Sequence, residues 1–169
     1  MRTRKARLRD AAAIHALIAD YAAEGVLLPR TEENVREHLS TFLVLEEKSK
    51  IAGCVSLENY GSDLAEIRSL AVSPEIRGRG LGGRLVEFAL EEARRKKIAR
   101  VFAVTHAPEF FVHHGFAASS RRALPEKIER DCRTCPKAKS CKLIAVIATV
   151  LPEEVMLPIL DGVASPSLA

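Results

Sequence analysis

Apolar positions recur along the chain with two periods, and the switch between them lays out the secondary structure. Ile14, Leu17, Ile18 and Tyr21 fall at helical spacing over residues 11 to 24, with Asp10 in front as the expected N-cap and Gly25 behind as a stop. Pro29, Arg30 and Thr31 lead into a second, shorter helix that Thr31 caps and on which Val35 and Leu39 share a face. Phe42 to Glu46 and Ile51 to Leu57 then read as two strands of a hairpin around a polar turn at Glu47 to Lys50. Ala65 to Val72 is a third strand, ended by Ser73 and Pro74 because proline cannot extend a central ladder.

Leu81, Leu85, Phe88, Ala89 and Ala93 form the clearest helical stripe, and Glu91 with Arg95 and Glu92 with Lys96 are expected to pair on its other face. Val101 to Thr105 is a short strand, Glu109 to His114 a short helix closed by Gly115, and Leu143 to Val150 a late β-branched strand. Helices, hairpin, strand, long helix, strand, short helix and late strand make a single α/β (α+β) domain. It is expected over residues 1–151, with 152–169 as a C-terminal extension in which Pro152, Pro158 and Pro166 prevent regular structure.

Composition narrows the class. A chain of 169 residues that is 47% hydrophobic and 28% charged is a one-domain globular protein, and disorder is excluded. The longest apolar run, Leu143 to Leu151, is half of the roughly 18 residues that a membrane span needs. The basic start is followed at once by Asp10, and His15 and Asp20 interrupt the apolar stretch behind it, so it does not read as a signal peptide and a cytoplasmic location is expected. A formal net charge of +4 does not point to nucleic acid. Its distribution is uneven: residues 2 to 9 carry five basic groups and no acid, and residues 121 to 142 carry eight against three. Two such zones suit an anionic ligand, although charge runs are more often solvated faces.

The run Arg77-Gly78-Arg79-Gly80-Leu81-Gly82-Gly83, followed by Arg84, lies between a strand and a long helix. There backbone N–H groups converge at the positive end of the helix, and glycines let a phosphate approach the main chain. Gly78, Gly80 and Gly83 also satisfy G-x-G-x-x-G, but the motif sits mid-chain after an antiparallel hairpin, and the next strand ends in Thr105-His106 instead of an acid, so a dinucleotide fold is not expected. A nucleotide P-loop is excluded because no Gly-Lys-Ser/Thr follows.

The stretch from Ala65 to Leu85, AEIRSLAVSPEIRGRGLGGRL, resembles the acyl-CoA-binding motif of the GNAT acetyltransferase superfamily, whose Arg/Gln-x-x-Gly-x-Gly/Ala signature falls on Arg77, Gly80 and Gly82. Phe110 to Phe116 resembles the second CoA-contacting segment, and the likeness covers about residues 3 to 150. Gly25 to Thr31, Pro108 to Phe111, Leu124 to Lys127 and Asp131 to Pro136 further resemble short single-domain amino-acid N-acetyltransferases of the N-acetylglutamate synthase type.

The resemblance implies a mixed central sheet with splayed strands, acetyl-CoA as co-substrate and no metal. It places pantetheine on the backbone around Leu70, Ala71 and Val72, pyrophosphate on the N–H groups from Arg79 to Arg84, and Phe110 and Phe111 beside the donor. A primary amine is expected to attack the thioester directly, its proton removed by Glu66, which could equally be a structural hydrogen-bond partner. An oxyanion contact is expected from a backbone N–H near Ala71 or Val72. Phe111 stands where many superfamily members carry the tyrosine that protonates the leaving thiolate. Arg30 and Arg68 are the expected ligands of an acceptor carboxylate, with internal ion pairing as the equal alternative. The implied acceptor is a free amino acid, L-glutamate first, in arginine biosynthesis. Another small-molecule or protein amine, or a non-catalytic acyl-CoA sensor, remains as the alternative, and a homodimer is left open.

Cys132, Cys135 and Cys141 cluster, with Cys54 apart in the hairpin. Reduced structural thiols rank first, a disulfide second and zinc third, because the spacing lacks a second paired-ligand arm.

Overall fold

A computed structural model describes residues 1–151, so the C-terminal extension lies outside the described residues. One mixed sheet of seven strands has the order β1-β2-β3-β4-β5-β7-β6. Its strands are β1 (Arg2–Lys5), β2 (Phe42–Glu47), β3 (Lys50–Asn59), β4 (Leu64–Val72), β5 (Arg100–Thr105), β6 (Ala117–Ser119) and β7 (Ile144–Thr149). The β4–β5 pair alone is parallel, and the helix α3 (Leu81–Arg95) provides the crossover between them.

Both faces of the sheet are covered. On one, Leu85, Ala89 and Ala93 of α3 pack with Leu43, Val55, Val101 and Val146 in the largest apolar cluster. On the other, Ile14 and Ile18 of α1 (Ala11–Ala23) and Val35 of α2 (Glu32–Glu37) pack on Phe42, Val44 and Ala71. The helical stripes read from the sequence therefore correspond to real burial, and the central strands are buried nearly continuously because both faces are covered. The hairpin turn is formed by Lys48 and Ser49, both at positive φ, which suits a tight two-residue connection.

Several local expectations need correction. Asp10 does not cap α1: its carboxylate accepts from the Arg7 N–H at 2.7 Å and from Arg4 at 2.6 Å, closing the turn before the helix. Arg95 pairs with Glu92 at 3.0 Å, and that buried carboxylate also takes Lys5 at 2.7 Å, so the expected partnership with Glu91 does not form. The basic segment 2 to 9 has three of its five cations, Arg2, Arg4 and Lys5, paired with carboxylates of the fold. It contains the edge strand β1, whose Arg2 and Arg4 are neutralised by Glu46 and Asp10. Charged side chains on an edge strand also discourage pairing with other chains.

A bulge gives the sheet its functional shape. Between Cys54 and Ser56 the β3–β4 register slips, and Ser69 takes a φ of +51°. Parallel pairing of β4 with β5 ends at Glu66 and Phe102, whereas β5 continues beside β7 to Thr105. The second half of β4 therefore leaves β5, as bulged strands bend away from their neighbours. A V-shaped cleft opens there.

Candidate active site

The cleft has two halves on either side of β4, one where the donor is expected and one where the acceptor is. In the donor half, Ser73 N–H bonds back to Ala52 of β3 at 2.8 Å, and a Cβ on Gly53 would meet the Ala71 carbonyl at 3.0 Å. Backbone polar groups alternate in direction along a strand. Ala71, expected among the donor-binding residues, thus turns its carbonyl to β3, and the edge facing the cleft is supplied by Leu70 and Val72.

The glycine turn meets the N-terminus of α3 with Gly78 at φ +79° and Gly80 at φ +72°, conformations that favour glycine. Arg84 N–H is already bonded to Gly80 O at 3.2 Å, so it is not available to a phosphate. The N–H groups of Gly80, Leu81, Gly82 and Gly83 precede that first helical bond and are the ones a helix leaves without intrahelical partners. Leu81 sends its side chain into the core. Phe110, on α4 (Pro108–Val112), lies against Gly82, where a Cβ would meet its ring at 3.4 Å. Phe111 is 6% exposed and stacks edge-on against Phe116, so it is a core residue and not a donor contact.

Gly83 has a different role from its neighbours. A Cβ there would sit 2.3 Å from the His114 ring, so this glycine admits the histidine against α3, and His114 is a packing residue rather than a free surface side chain. Arg77 is paired with Glu24 at 3.1 Å, and Arg79 is half-exposed, 3.9 Å from Glu47.

The acceptor half is a cavity of about 500 Å³ bounded by Leu28, Arg30, His38, Glu58, Arg68 and Arg130. Arg30 is fixed there from its backbone outward: His15 Nδ1 contacts its carbonyl at 2.9 Å, and Thr31 Oγ1 caps α2 by accepting from Asn34 N–H. Its guanidinium pairs with Glu58 and lies over the Phe42 ring, and its Nη1 is buried with no hydrogen-bond partner among the described residues. Arg68 and Arg130 reach the same Glu58 carboxylate, each at 3.3 Å. These three arginines hold the buried Glu58 carboxyl below its ordinary range against the opposing effect of burial.

Glu66 does not line this cavity: it is 1% exposed, 3.7 Å from Arg68, and its Oε2 accepts from Tyr60 Oη at 2.7 Å and from Lys127 Nζ at 2.9 Å. Lys127 also reaches Asp131 at 2.6 Å, and Arg68 lies 3.3 Å from that same carboxylate. Burial and the two carboxylates push the Tyr60 hydroxyl well above the ordinary phenol range. The connected network thus contains four cations, Arg30, Arg68, Lys127 and Arg130, against three carboxylates, Glu58, Glu66 and Asp131.

A splayed β4, a glycine turn with free N–H groups at the head of α3 and an acceptor cavity across the strand coincide with a match of residues 11–116 to the Acetyltransferase (GNAT) family. The chain belongs to the GNAT acetyltransferase family. This GNAT chain is 41% identical over 87% of its length to an uncharacterised N-acetyltransferase of Chlorobaculum tepidum, 95% of which is covered. It is 37% identical over 78% of its length to an amino-acid acetyltransferase of Neisseria meningitidis, of which it spans only 30%. Among solved structures, N-acetylglutamate synthase from Neisseria gonorrhoeae complexed with coenzyme A and N-acetyl-glutamate superposes with a TM-score of 0.81 at 32% identity, over 89% of this chain and 35% of that one.

Arg30 and Arg68, singled out from the sequence, do converge on one cavity, and the alternative of internal ion pairing is also realised in both. Glu58, Tyr60, Lys127, Arg130 and Asp131 were not singled out. Lys127 and Asp131 do fall inside the segments Leu124 to Lys127 and Asp131 to Pro136 that carried the family likeness, and their i,i+4 spacing puts them on one helical face. They lie on α5 (Pro125–Lys127) and the wide helical turn Ile128–Cys132 that continues it. Among the described residues no group of three His, Cys, Asp or Glu side chains is placed to hold a metal ion, all four cysteines are free thiols, and no helix is long and apolar enough to cross a membrane.

Proposed function

We propose that this GNAT chain acetylates the α-amine of a free acidic amino acid, with L-glutamate as acceptor and acetyl-CoA as donor, a reaction that would serve arginine biosynthesis. The observation that carries the reading is the buried Arg30 Nη1 without an acceptor, at the edge of a cavity where three arginines surround one carboxylate. Four cations against three carboxylates leave one positive charge unmatched, and an acidic amino acid at neutral pH carries one net negative charge. An acceptor carboxylate would answer the buried Nη1 donor, whose lack of a partner is costly, and only an acidic amino acid would also match the extra positive charge.

The donor half fits an acyl-CoA: an extended amide chain could pair with the open edge of β4, and a pyrophosphate could be held by the N–H groups at the start of α3. Bound there, acetyl-CoA would supply the activated acyl group. Arg30 and Arg68 would orient the acceptor's side-chain carboxylate from across β4. Glu66 is the proposed proton acceptor for the incoming ammonium: its recorded bonds to Tyr60 and Lys127 both end on Oε2, leaving Oε1 to act directly or through water. Lys127 and Tyr60 would fix the orientation of that carboxylate. Neither arginine nor lysine offers a base in its charged form, which leaves the carboxylates and His38 as the proton-accepting groups around the cavity.

Thiol release from acetyl-CoA against a panel of free amino acids tests the proposal. Turnover with glutamate and aspartate but not with glutamine, alanine or leucine is the expected result. A preference for glutamine or for a neutral amino acid would overturn the charge argument and leave the family assignment intact.

A further inference from the structure

A single hydroxyl from α1 closes the hydrogen-bonding slot at the end of β4. Tyr21 Oη donates to the Val72 carbonyl at 3.0 Å and accepts from the Val72 N–H at 3.3 Å. These two groups lie on the open side of the strand, because Ser73 N–H is turned to Ala52 on β3. An unpaired strand edge invites an extended chain with alternating donors and acceptors. Tyr21 already satisfies it.

The hydroxyl is held by further contacts. The Arg77 guanidinium stacks over the Tyr21 ring at 4.3 Å, its Nε donates to Tyr21 Oη at 3.1 Å, and its Nη2 donates to Glu24 at 3.1 Å. One donor and two acceptor positions are the full capacity of a tyrosine hydroxyl, and all three are engaged. The arrangement ties the end of α1 to the end of β4 and to the first residue of the glycine turn. Arg77 and Glu24 are 39% and 48% exposed, so the outer side of the arrangement is open to solvent, while the Tyr21 ring packs on the apolar cluster below.

We propose that Tyr21 is a latch on the donor cleft, occupying the Val72 slot in the free protein and yielding it to the amide-bearing arm of coenzyme A. The proposal rests on the reading that acyl-CoA lies along β4. Displacement releases Arg77 from the hydroxyl at the moment the donor arrives. The latched population lowers the apparent affinity by the fraction of molecules in which the slot is free.

Tyr21→Phe keeps the ring, its packing and its stack on Arg77 while removing the hydroxyl. Calorimetric titration with coenzyme A is expected to show a Kd roughly tenfold lower in the variant, the effect of losing about one to two modest hydrogen bonds from the competing state. Adenosine 3′,5′-bisphosphate, which has no amide arm, is expected to bind both proteins equally. In the ligand-free proteins, the Val72 amide is expected to exchange with solvent faster in Tyr21→Phe than in the parent, and coenzyme A should restore its protection. An unchanged or raised Kd for coenzyme A, an equal gain for the bisphosphate, or unaltered Val72 exchange would each overturn the latch while leaving the donor reading in place. Failure of coenzyme A to bind either protein would remove the donor reading itself, and the latch with it.

Discussion

Lys127 Nζ lies 2.9 Å from the Glu66 carboxylate, a contact between residues 61 positions apart in which both side chains are withdrawn from solvent. Charge burial of this kind is tolerated because each ion satisfies the other and because Tyr60 also donates to Glu66 Oε2 and Asp131 also accepts from Lys127.

Breaking this pair from one side should therefore be more damaging than removing it whole. Lys127→Met leaves a carboxylate in the protein interior without its cation, and a loss of about 3–5 kcal/mol is expected. The double variant Lys127→Met/Glu66→Gln should recover a substantial part of that loss, since no uncompensated charge remains. Urea unfolding of the parent, the single and the double variant measures both. A single variant within about 0.5 kcal/mol of the parent would mean that the buried pair does not form in solution.

Arg30 is expected to separate acceptor binding from donor binding. Arg30→Ala should raise the acceptor KM by roughly ten- to a hundredfold, the size of effect expected for a charge-assisted hydrogen bond, and leave the KM for acetyl-CoA unchanged. Arg30→Lys should recover little, because a point charge cannot present two donors in one plane. Steady-state kinetics with each substrate varied in turn provide the test. An unchanged acceptor KM would remove Arg30 from the acceptor site.

The parts of this architecture legible in the sequence are those written in local patterns. The strand Ala65 to Val72 with its stop at Ser73-Pro74, the stripe on α3 and the glycine turn between them depend on neighbours within a few residues, and the structure has all three where expected. β1 was hidden because Arg2, Thr3, Arg4 and Lys5 look like a polar tail until Glu46, Asp10 and Glu92 are brought beside them. The shared role of Lys127, Asp131 and Tyr60 was hidden for the same reason: their chemistry arises from convergence across 61 to 71 residues of chain. Tyr21 was read as part of an apolar helical face. Its ring does pack there, but its polar tip reaches a different part of the fold.

Gly83 and His114 offer a direct steric test of the glycine turn. Gly83→Ala would place a Cβ 2.3 Å from the His114 ring, far inside contact distance, so either the ring or α4 must move. A stability loss of about 1–3 kcal/mol is expected, as for other overpacking changes. The double variant Gly83→Ala/His114→Ala should lose less than the sum of the two single variants, because the clash is absent from it. Gly82→Ala, with only the Phe110 ring at 3.4 Å, should be milder. Thermal melts of the four proteins decide the matter, and strict additivity would place His114 elsewhere in solution.

The four cysteines should separate into two chemical classes. Cys132, Cys135 and Cys141 are partly exposed, whereas Cys54 is buried in β3, where its Sγ lies 3.6 Å from the Ser69 carbonyl. Burial pushes the Cys54 thiol up to about 12 from its ordinary 9.0. Iodoacetamide is the thiolate's reagent, so in the native protein three thiols should be alkylated and the fourth only after denaturation. The same shift sets a stability dependence with a definite sign. The folded state disfavours the thiolate, so the contribution is complete below pH 9 and is lost as pH rises from there towards 12, where the unfolded chain releases the proton first. Replacing Cys54 by Ala should lower stability at all pH values through the missing sulfur, yet make it fall less steeply between pH 9 and 11. Parallel slopes for the parent and Cys54→Ala in that window would show that the Cys54 thiol is open to water in the native protein.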